Sequence, residues 1–231
     1  MPSTNKPLCF AHRGASGHEP ENTLLAVQKA LSLGAPWIEV DVYAVENQLI
    51  VIHDPTLERT TNGSGQVMGK TLSYLRSLDA GKGQKIPLLR EIFDLVSDKA
   101  GINVELKGPN TAEPAVSLID EYIMNHHWDY DRVLVSSFNH DELTKVKAQQ
   151  PKIRIGALIS KIPENGAQFA EALGAYSVHV KMKVINRQFV DDAHQRNLKV
   201  FVYTVNSPEE IETLRSLSVD GIFTNYPELL K

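Results

Sequence analysis

Four short apolar runs in this sequence each end in residues that can ionise: His12-Arg13, Glu39-Val40-Asp41, His53-Asp54 and Glu105-Leu106-Lys107. Residues two apart on a strand share a face, so Glu39 and Asp41 point together, as do Glu105 and Lys107. In a parallel sheet covered by helices both faces are buried, and charges there are costly unless paired or bound to metal. Glu39, Asp41 and Glu105 are therefore candidate metal ligands. Three close carboxylates repel unless protons or a cation offset them. An all-oxygen donor set favours one hard divalent cation, Mg²⁺ or Ca²⁺ with Mn²⁺ also admissible, over zinc. The plainer reading of the same carboxylates is ion pairing to Arg13 and Lys107.

His12 and His53 suit acid–base work, because an unperturbed imidazole titrates near neutral pH. One can accept a proton from a nucleophile while the other gives one to a leaving group. Arg13 can fork onto two phosphate oxygens, and Lys107 supplies a point charge. Together these are parts for phosphoryl chemistry more than for hydride or acyl transfer. His18, His140, His179 and His194 lack such neighbours and read as structural or surface residues; His126-His127 closes a helical pattern.

The elements that must position these groups can be read from periodicity. Short β-branched runs at 8–11, 37–42, 49–52, 102–106, 133–136, 154–158, 177–180, 199–202 and 221–223 read as strands. Helical patterns at 24–33, 88–97, 112–125, 141–149, 168–173, 187–196 and 208–217 lie between most of them. Asn22-Thr23 and Ser207-Pro208 are helix-opening signals, and Gly34 closes the first helix. If 49–52 continues the second strand after a turn at Glu46-Asn47, eight strands remain. Strands alternating with helices predict an α/β fold, a (β/α)₈ TIM barrel in which residues 1–231 form one domain. Residues 55–87 break the rhythm with a polar run and one short helical pattern; they read as a small insertion after the second strand, over the C-terminal face where barrel sites form. No Gly-x-Gly-x-x-Gly follows the first strand, which argues against an open dinucleotide-binding sheet.

A chain of 231 residues, 42% hydrophobic and 23% charged, is the right size and composition for one such domain. Its net charge of -4 and lack of a basic run make nucleic acid a poor partner and a small-molecule substrate the better expectation. The single cysteine, Cys9, excludes an intrachain disulfide and reads as a buried small apolar residue. No apolar run is long enough to span a bilayer, and the polar stretch 1–7 lacks a signal-peptide core, so a cytoplasmic monomer or homodimer without stable membrane insertion is expected.

Taken in order, His12-Arg13-Gly14, Glu19-Pro20-Glu21-Asn22-Thr23, Glu39-Val40-Asp41 and His53-Asp54 resemble the signature of the glycerophosphodiester phosphodiesterases of bacterial cytosolic type. Arg59-Thr60-Thr61-Asn62-Gly63 and Ile86-Pro87-Leu88-Leu89 resemble the start and exit of that family's insertion. Glu105-Leu106-Lys107, Ser137-Phe138, Tyr203-Thr204-Val205-Asn206 and 220–227 resemble its later blocks. The resemblance implies a barrel that hydrolyses glycerophosphodiesters to glycerol 3-phosphate and an alcohol. It implies His12 and His53 as the acid–base pair, Glu39, Asp41 and Glu105 around a divalent cation, and Arg13 and Lys107 on phosphate. Asn225 stands where the family often has aspartate, and Tyr203 where many members carry tryptophan. Phe138 and Tyr203 are expected to line the wall around the glycerol backbone, with core packing an equally good account of Phe138. Asn206 is expected to cap the helix at Ser207 or to hydrogen-bond substrate. Competing readings are a lysophospholipase D or sphingomyelinase D-like lipid phosphodiesterase, a catalytically silent binding module and an NAD-linked enzyme.

Overall fold

A computed structural model describes residues 6–231. The apolar runs form β1 (Leu8–His12), β2 (Trp37–Val45), β3 (Gln48–Val51), β4 (Gly101–Leu106), β5 (Val133–Ser137), β6 (Arg154–Ile159), β7 (Ser177–Lys181), β8 (Lys199–Tyr203) and β9 (Gly221–Thr224). The sheet order is β1-β9-β8-β7-β6-β5-β4-β2-β3, and β1 also pairs with β2. All these pairings are parallel except β2–β3. Eight parallel strands therefore close on themselves with helices around them, the expected TIM barrel.

The stretch 49–52 differs in detail from a continued second strand. Glu46 and Asn47 both have positive φ, 49° and 59°, the conformation of a two-residue I′ hairpin turn. β3 accordingly runs back antiparallel along β2, with Val42 opposite Val51 and Val45 opposite Gln48, and lies outside the ring. This hairpin carries the chain above the barrel rim and returns it, so that His53 follows β3 level with the middle of β2 rather than ending a barrel strand.

Strand alternation separates two cores. Ile38, Val40 and Val42 of β2, like Cys9 and Ala11 of β1, pack outward against helices α1 (Leu24–Ser32) and α3 (Leu89–Val96) and the rest of the helical layer. Inside, Phe10, Leu134, Phe201 and Phe223 fill the barrel. The Phe10 ring lies 4.6 Å from that of Phe223 and 4.8 Å from that of Phe201. This aromatic plug closes the lower barrel, so the inward-facing ionisable residues one or two positions further along each strand meet at the upper mouth. Cys9 is buried in β1 as expected, and burial pushes its thiol up to about 12, which leaves it inert.

The segment after β3 has a small core of its own. Leu57, Val67, Leu75, Leu78 and Ile86 pack on Tyr43, Val45 and Ile50 of the hairpin. Its helix α2 (Leu72–Ser77) is tied to α3 by Arg76, which donates to both carboxylate oxygens of Glu91 at 2.7 Å. Lys82 reaches back to Glu19 at 2.6 Å. Among the described residues, no helix is long and apolar enough to cross a membrane.

Candidate active site

The turn after β1 sets the first catalytic candidates. Arg13 and Gly14 both have positive φ, 56° and 79°, which turns the chain sharply as it leaves the barrel. A Cβ on residue 14 would sit 2.6 Å from the backbone of Ala26, so only glycine lets this turn press against α1. The same turn puts the Arg13 N–H 2.8 Å from Glu39 Oε2, next to the in-register pair His12–Glu39.

Glu39, Asp41 and Glu105 face inward from β2 and β4, and each offers an oxygen within 4.8 Å of the others. Asp41 is the best satisfied: Asn22 donates to Oδ2 at 2.9 Å, and Arg13 Nε lies 3.3 Å from the same oxygen. Lys107 Nζ bonds Glu105 Oε1 at 2.7 Å and stands 3.8 Å from Asp41 Oδ1. Burial, then the charges of Asp41 and Glu105, push Glu39 well above the usual carboxylate range. Burial and Asp41 likewise raise Glu105 to about 7. Glu39 Oε1 is buried with no hydrogen-bond partner among the described residues. Arg13 and Lys107 thus pair with the cluster, as the plainer reading expects, and still leave it short of positive charge. An unpartnered carboxylate oxygen in an all-oxygen cluster fits a hard divalent cation, which would replace the protons these groups otherwise hold.

His12 and His53 come from opposite sides of this cluster, and each is anchored through Nδ1. His12 Nδ1 lies 2.7 Å from Asn225 Oδ1, an acceptor, so this nitrogen carries the proton. Burial first, then Arg13, lower His12 to about 4, so the ring is neutral with Nε2 as its free acceptor. His53 Nδ1 lies 2.6 Å from Asp54 Oδ1, and its Nε2 lies 3.2 Å from Lys107 Nζ. Since a lysine ammonium only donates, His53 Nε2 accepts and Nδ1 donates to Asp54.

Three residues of this network lay in the recognised motifs without an assigned role. Arg59, from the segment after β3, donates to both oxygens of Asp54 and to both oxygens of Glu21, the latter at 2.7 and 2.8 Å. Glu21 in turn accepts from Arg13 at 2.7 Å. Burial would raise Glu21, but Arg59 and Arg13 outweigh it and hold its carboxyl down at about 2. The hydrogen bond from Arg59 likewise holds Asp54 well below its ordinary range. One guanidinium therefore links the supports of Arg13 and His53.

Asn206 does not cap the helix that follows it. Ser207 caps helix α8 (Pro208–Leu217), accepting from the N–H of Glu210. Asn206 Oδ1 instead accepts from the backbone N–H of Asn225 at 2.9 Å and so steadies the residue that orients His12.

His12, Arg13, Glu39, His53, Glu105 and Lys107 line one cavity of about 360 Å³ at the barrel mouth. Phe138 and Tyr203 form its far wall, their rings edge to face at 88° with centroids 6.0 Å apart. Tyr203 is pinned by its hydroxyl, which donates to Ile159 O at 2.8 Å. Asp41 stands behind Arg13 and Lys107 rather than on the cavity surface. A cavity of about 370 Å³ elsewhere is lined by Arg90, Glu113 and Glu121, none of them buried, and holds no buried titratable cluster among the described residues.

The cavity also contains two residues given no role from the sequence, His179 and Lys181 of β7. His179 is fully buried; burial lowers it to about 3, Nε2 lies 3.0 Å from Ser177 Oγ, and Nδ1 has no partner among the described residues. The signal that picked out Glu39/Asp41, ionisable residues two apart at a strand end, is present here too.

The family model of the glycerophosphoryl diester phosphodiesterases matches residues 12–229. The chain is 38% identical to a glycerophosphodiester phosphodiesterase of Caldanaerobacter subterraneus subsp. tengcongensis, over 97% of this chain and 96% of that one. It is 35% identical to one from Bacillus altitudinis, over 95% and 94%. Among solved structures, a phosphodiesterase of Oleispira antarctica in complex with the product sn-glycerol-3-phosphate superposes with a TM-score of 0.89 at 32% identity, covering 97% of this chain and 95% of that one.

Proposed function

The chain belongs to the glycerophosphoryl diester phosphodiesterase family, and on that premise we propose that it hydrolyses glycerophosphodiesters, with a divalent cation, to sn-glycerol 3-phosphate and an alcohol by two-histidine acid–base catalysis. One observation carries the reading: two histidines, each anchored through Nδ1, open onto the same cavity as Arg13, Lys107, Glu39 and Glu105. The product held by the Oleispira antarctica relative supports the same substrate class.

Glu39, Asp41 and Glu105 would hold the cation, which offsets the phosphodiester's charge and polarises its P–O bonds. Arg13 and Lys107 draw the anionic diester into a mouth whose carboxylates alone would repel it. His12, neutral and with Nε2 free, takes the proton from the nucleophile, either water or the substrate's own 2-hydroxyl. When Lys107 turns from His53 Nε2 onto the phosphate, that nitrogen takes up a proton from solvent and delivers it to the departing alkoxide, and ionised Asp54 stabilises the imidazolium that precedes this transfer. Phe138 and Tyr203 shield the reacting phosphorus on the side facing away from the carboxylates. Residues 55–87 act as an insertion that contributes Arg59 to the support of both Arg13 and His53.

Release of sn-glycerol 3-phosphate from glycerophosphocholine, measured after chelation and after restoring Mg²⁺, Ca²⁺ or Mn²⁺, tests the proposal. Activity that vanishes with chelator and returns with a cation is the expected result. Full turnover in chelator would refute the metal dependence, and absence of turnover with every cation and several head groups would refute the activity.

A further inference from the structure

Beyond the catalytic groups, the cavity has a second half built from β7 and β8. In the ring β1-β2-β4-β5-β6-β7-β8-β9, β7 stands opposite β2 and β8 opposite β4. The candidate ligands on β2 and β4 therefore face Lys181 and Tyr203, which are in register at the ends of β7 and β8. Ser177, His179 and Lys181 alternate with the outward-packed Val178 and Val180, so Lys181 belongs to the inner face of β7. It is exposed, it lines the cavity, and it forms no ion pair with any described residue. Among the described residues, the only carboxylates on the cavity wall are Glu39 and Glu105, on the opposite side.

This asymmetry bears on the two arms of the substrate, and the argument rests on the phosphodiesterase reading above. The glycerol arm carries free hydroxyls, which suit the oxygen-rich β2–β4 side. The departing alcohol then extends toward β7 and β8. Phe138 and Tyr203, meeting at right angles, could make an aromatic corner for an ammonium head group. But Lys107 Nζ already sits 5.7 Å from the centre of the Phe138 ring, and Lys181 adds a second positive charge with no described carboxylate on its side of the cavity wall. A cationic head group would meet repulsion there, and an anionic one a free ammonium.

We propose that Lys181 selects the departing alcohol by charge, favouring alcohols that bear an anionic group such as a phosphate over those that bear an ammonium group. Three glycerophosphodiesters grade that charge: glycerophosphocholine, whose departing alcohol is cationic; glycerophosphoglycerol, neutral; and bis(glycerophospho)glycerol, anionic. The wild-type enzyme with its cation restored is expected to show kcat/KM rising in that order. In Lys181→Glu the anionic-to-cationic ratio is expected to fall by about tenfold or more, a modest fraction of what a charge pair contributes in a partly hydrated cleft. Lys181→Gln should fall between, which guards against a folding defect peculiar to the charge reversal. An unordered wild-type series, or variants that scale all three substrates by one factor, would overturn the role of Lys181 while leaving the phosphodiesterase reading intact. No turnover of any of the three by the wild type would sink that reading and this inference with it.

Discussion

Asp54→Asn removes one charge and changes one acceptor to a donor at the support of His53. Wild-type Asp54 takes hydrogen bonds from Arg59 on both oxygens and from His53 Nδ1 at 2.6 Å, and every partner is a donor. An asparagine has one acceptor. If its oxygen stays with Arg59, its amide faces His53 Nδ1 and forces the ring into the other tautomer. The proton then sits on Nε2, 3.2 Å from Lys107 Nζ, where two donors collide. Either the ring turns away or the bond to Arg59 is lost. Weakened support of a functional group typically lowers activity by about 10–100-fold, and a wrong tautomer in a serine protease by about 10⁴-fold. Asp54 is partly exposed and can relax, so a fall in kcat of about 10²–10³-fold is expected, with KM changed by no more than about threefold because phosphate still meets Arg13 and Lys107. Stability should fall by only about 1 kcal/mol, since the Arg59 pair is solvent-exposed. The assay is steady-state release of sn-glycerol 3-phosphate at saturating cation, with a thermal melt to confirm folding. A folded variant whose kcat stays within about twofold of wild type would refute the support role of Asp54.

Two further outcomes follow from the charges. Glu39 is raised well above its ordinary value and Glu105 to about 7, while buried His12 and His179 are lowered to about 4 and about 3. Below about pH 6.5 the extra protons on the folded carboxylates are matched by those the unfolded histidines bind; above it only the carboxylates differ, so in chelator stability should fall as pH rises from about 6.5 to about 8, and added cation should flatten the decline; a flat or rising curve across that interval in chelator would contradict the strained cluster. Asn225→Asp places a carboxylate on His12 Nδ1, where only a neutral amide now holds a ring lowered to about 4. That substitution should raise His12, which is inactive as a base below its own pKa, and move the acidic limb of kcat/KM up by about one unit or more; an unmoved limb would remove His12 from the base role.

Much of the molecule was legible along the chain. The order of apolar and amphipathic runs determined the barrel, because a strand buried on both faces needs a β-branched run and each parallel return needs a crossover helix. Spacing determined which side chains share a face: Glu39 with Asp41, Glu105 with Lys107, and by the same rule His179 with Lys181. Most strands extend past the predicted end. β1, β5, β6, β7, β8 and β9 each run one residue further, and all but β6, which ends at Ile159, finish on a residue outside the apolar pattern: His12, Ser137, Lys181, Tyr203 and Thr224, because backbone pairing continues where hydrophobicity stops. Those extra positions include several that reach the cavity. What only the tertiary structure decided is how separate runs meet. The β2–β3 hairpin brings His53 back to the rim, Arg59 joins nearby Asp54 to Glu21, 38 residues earlier, Asn206 holds Asn225 behind His12, and β7 faces β2 across the barrel. Local sequence specifies the conformation of each run through periodicity and turn chemistry. These partnerships depend instead on closure of the ring and on the path of loops above it, and no spacing along the chain encodes either.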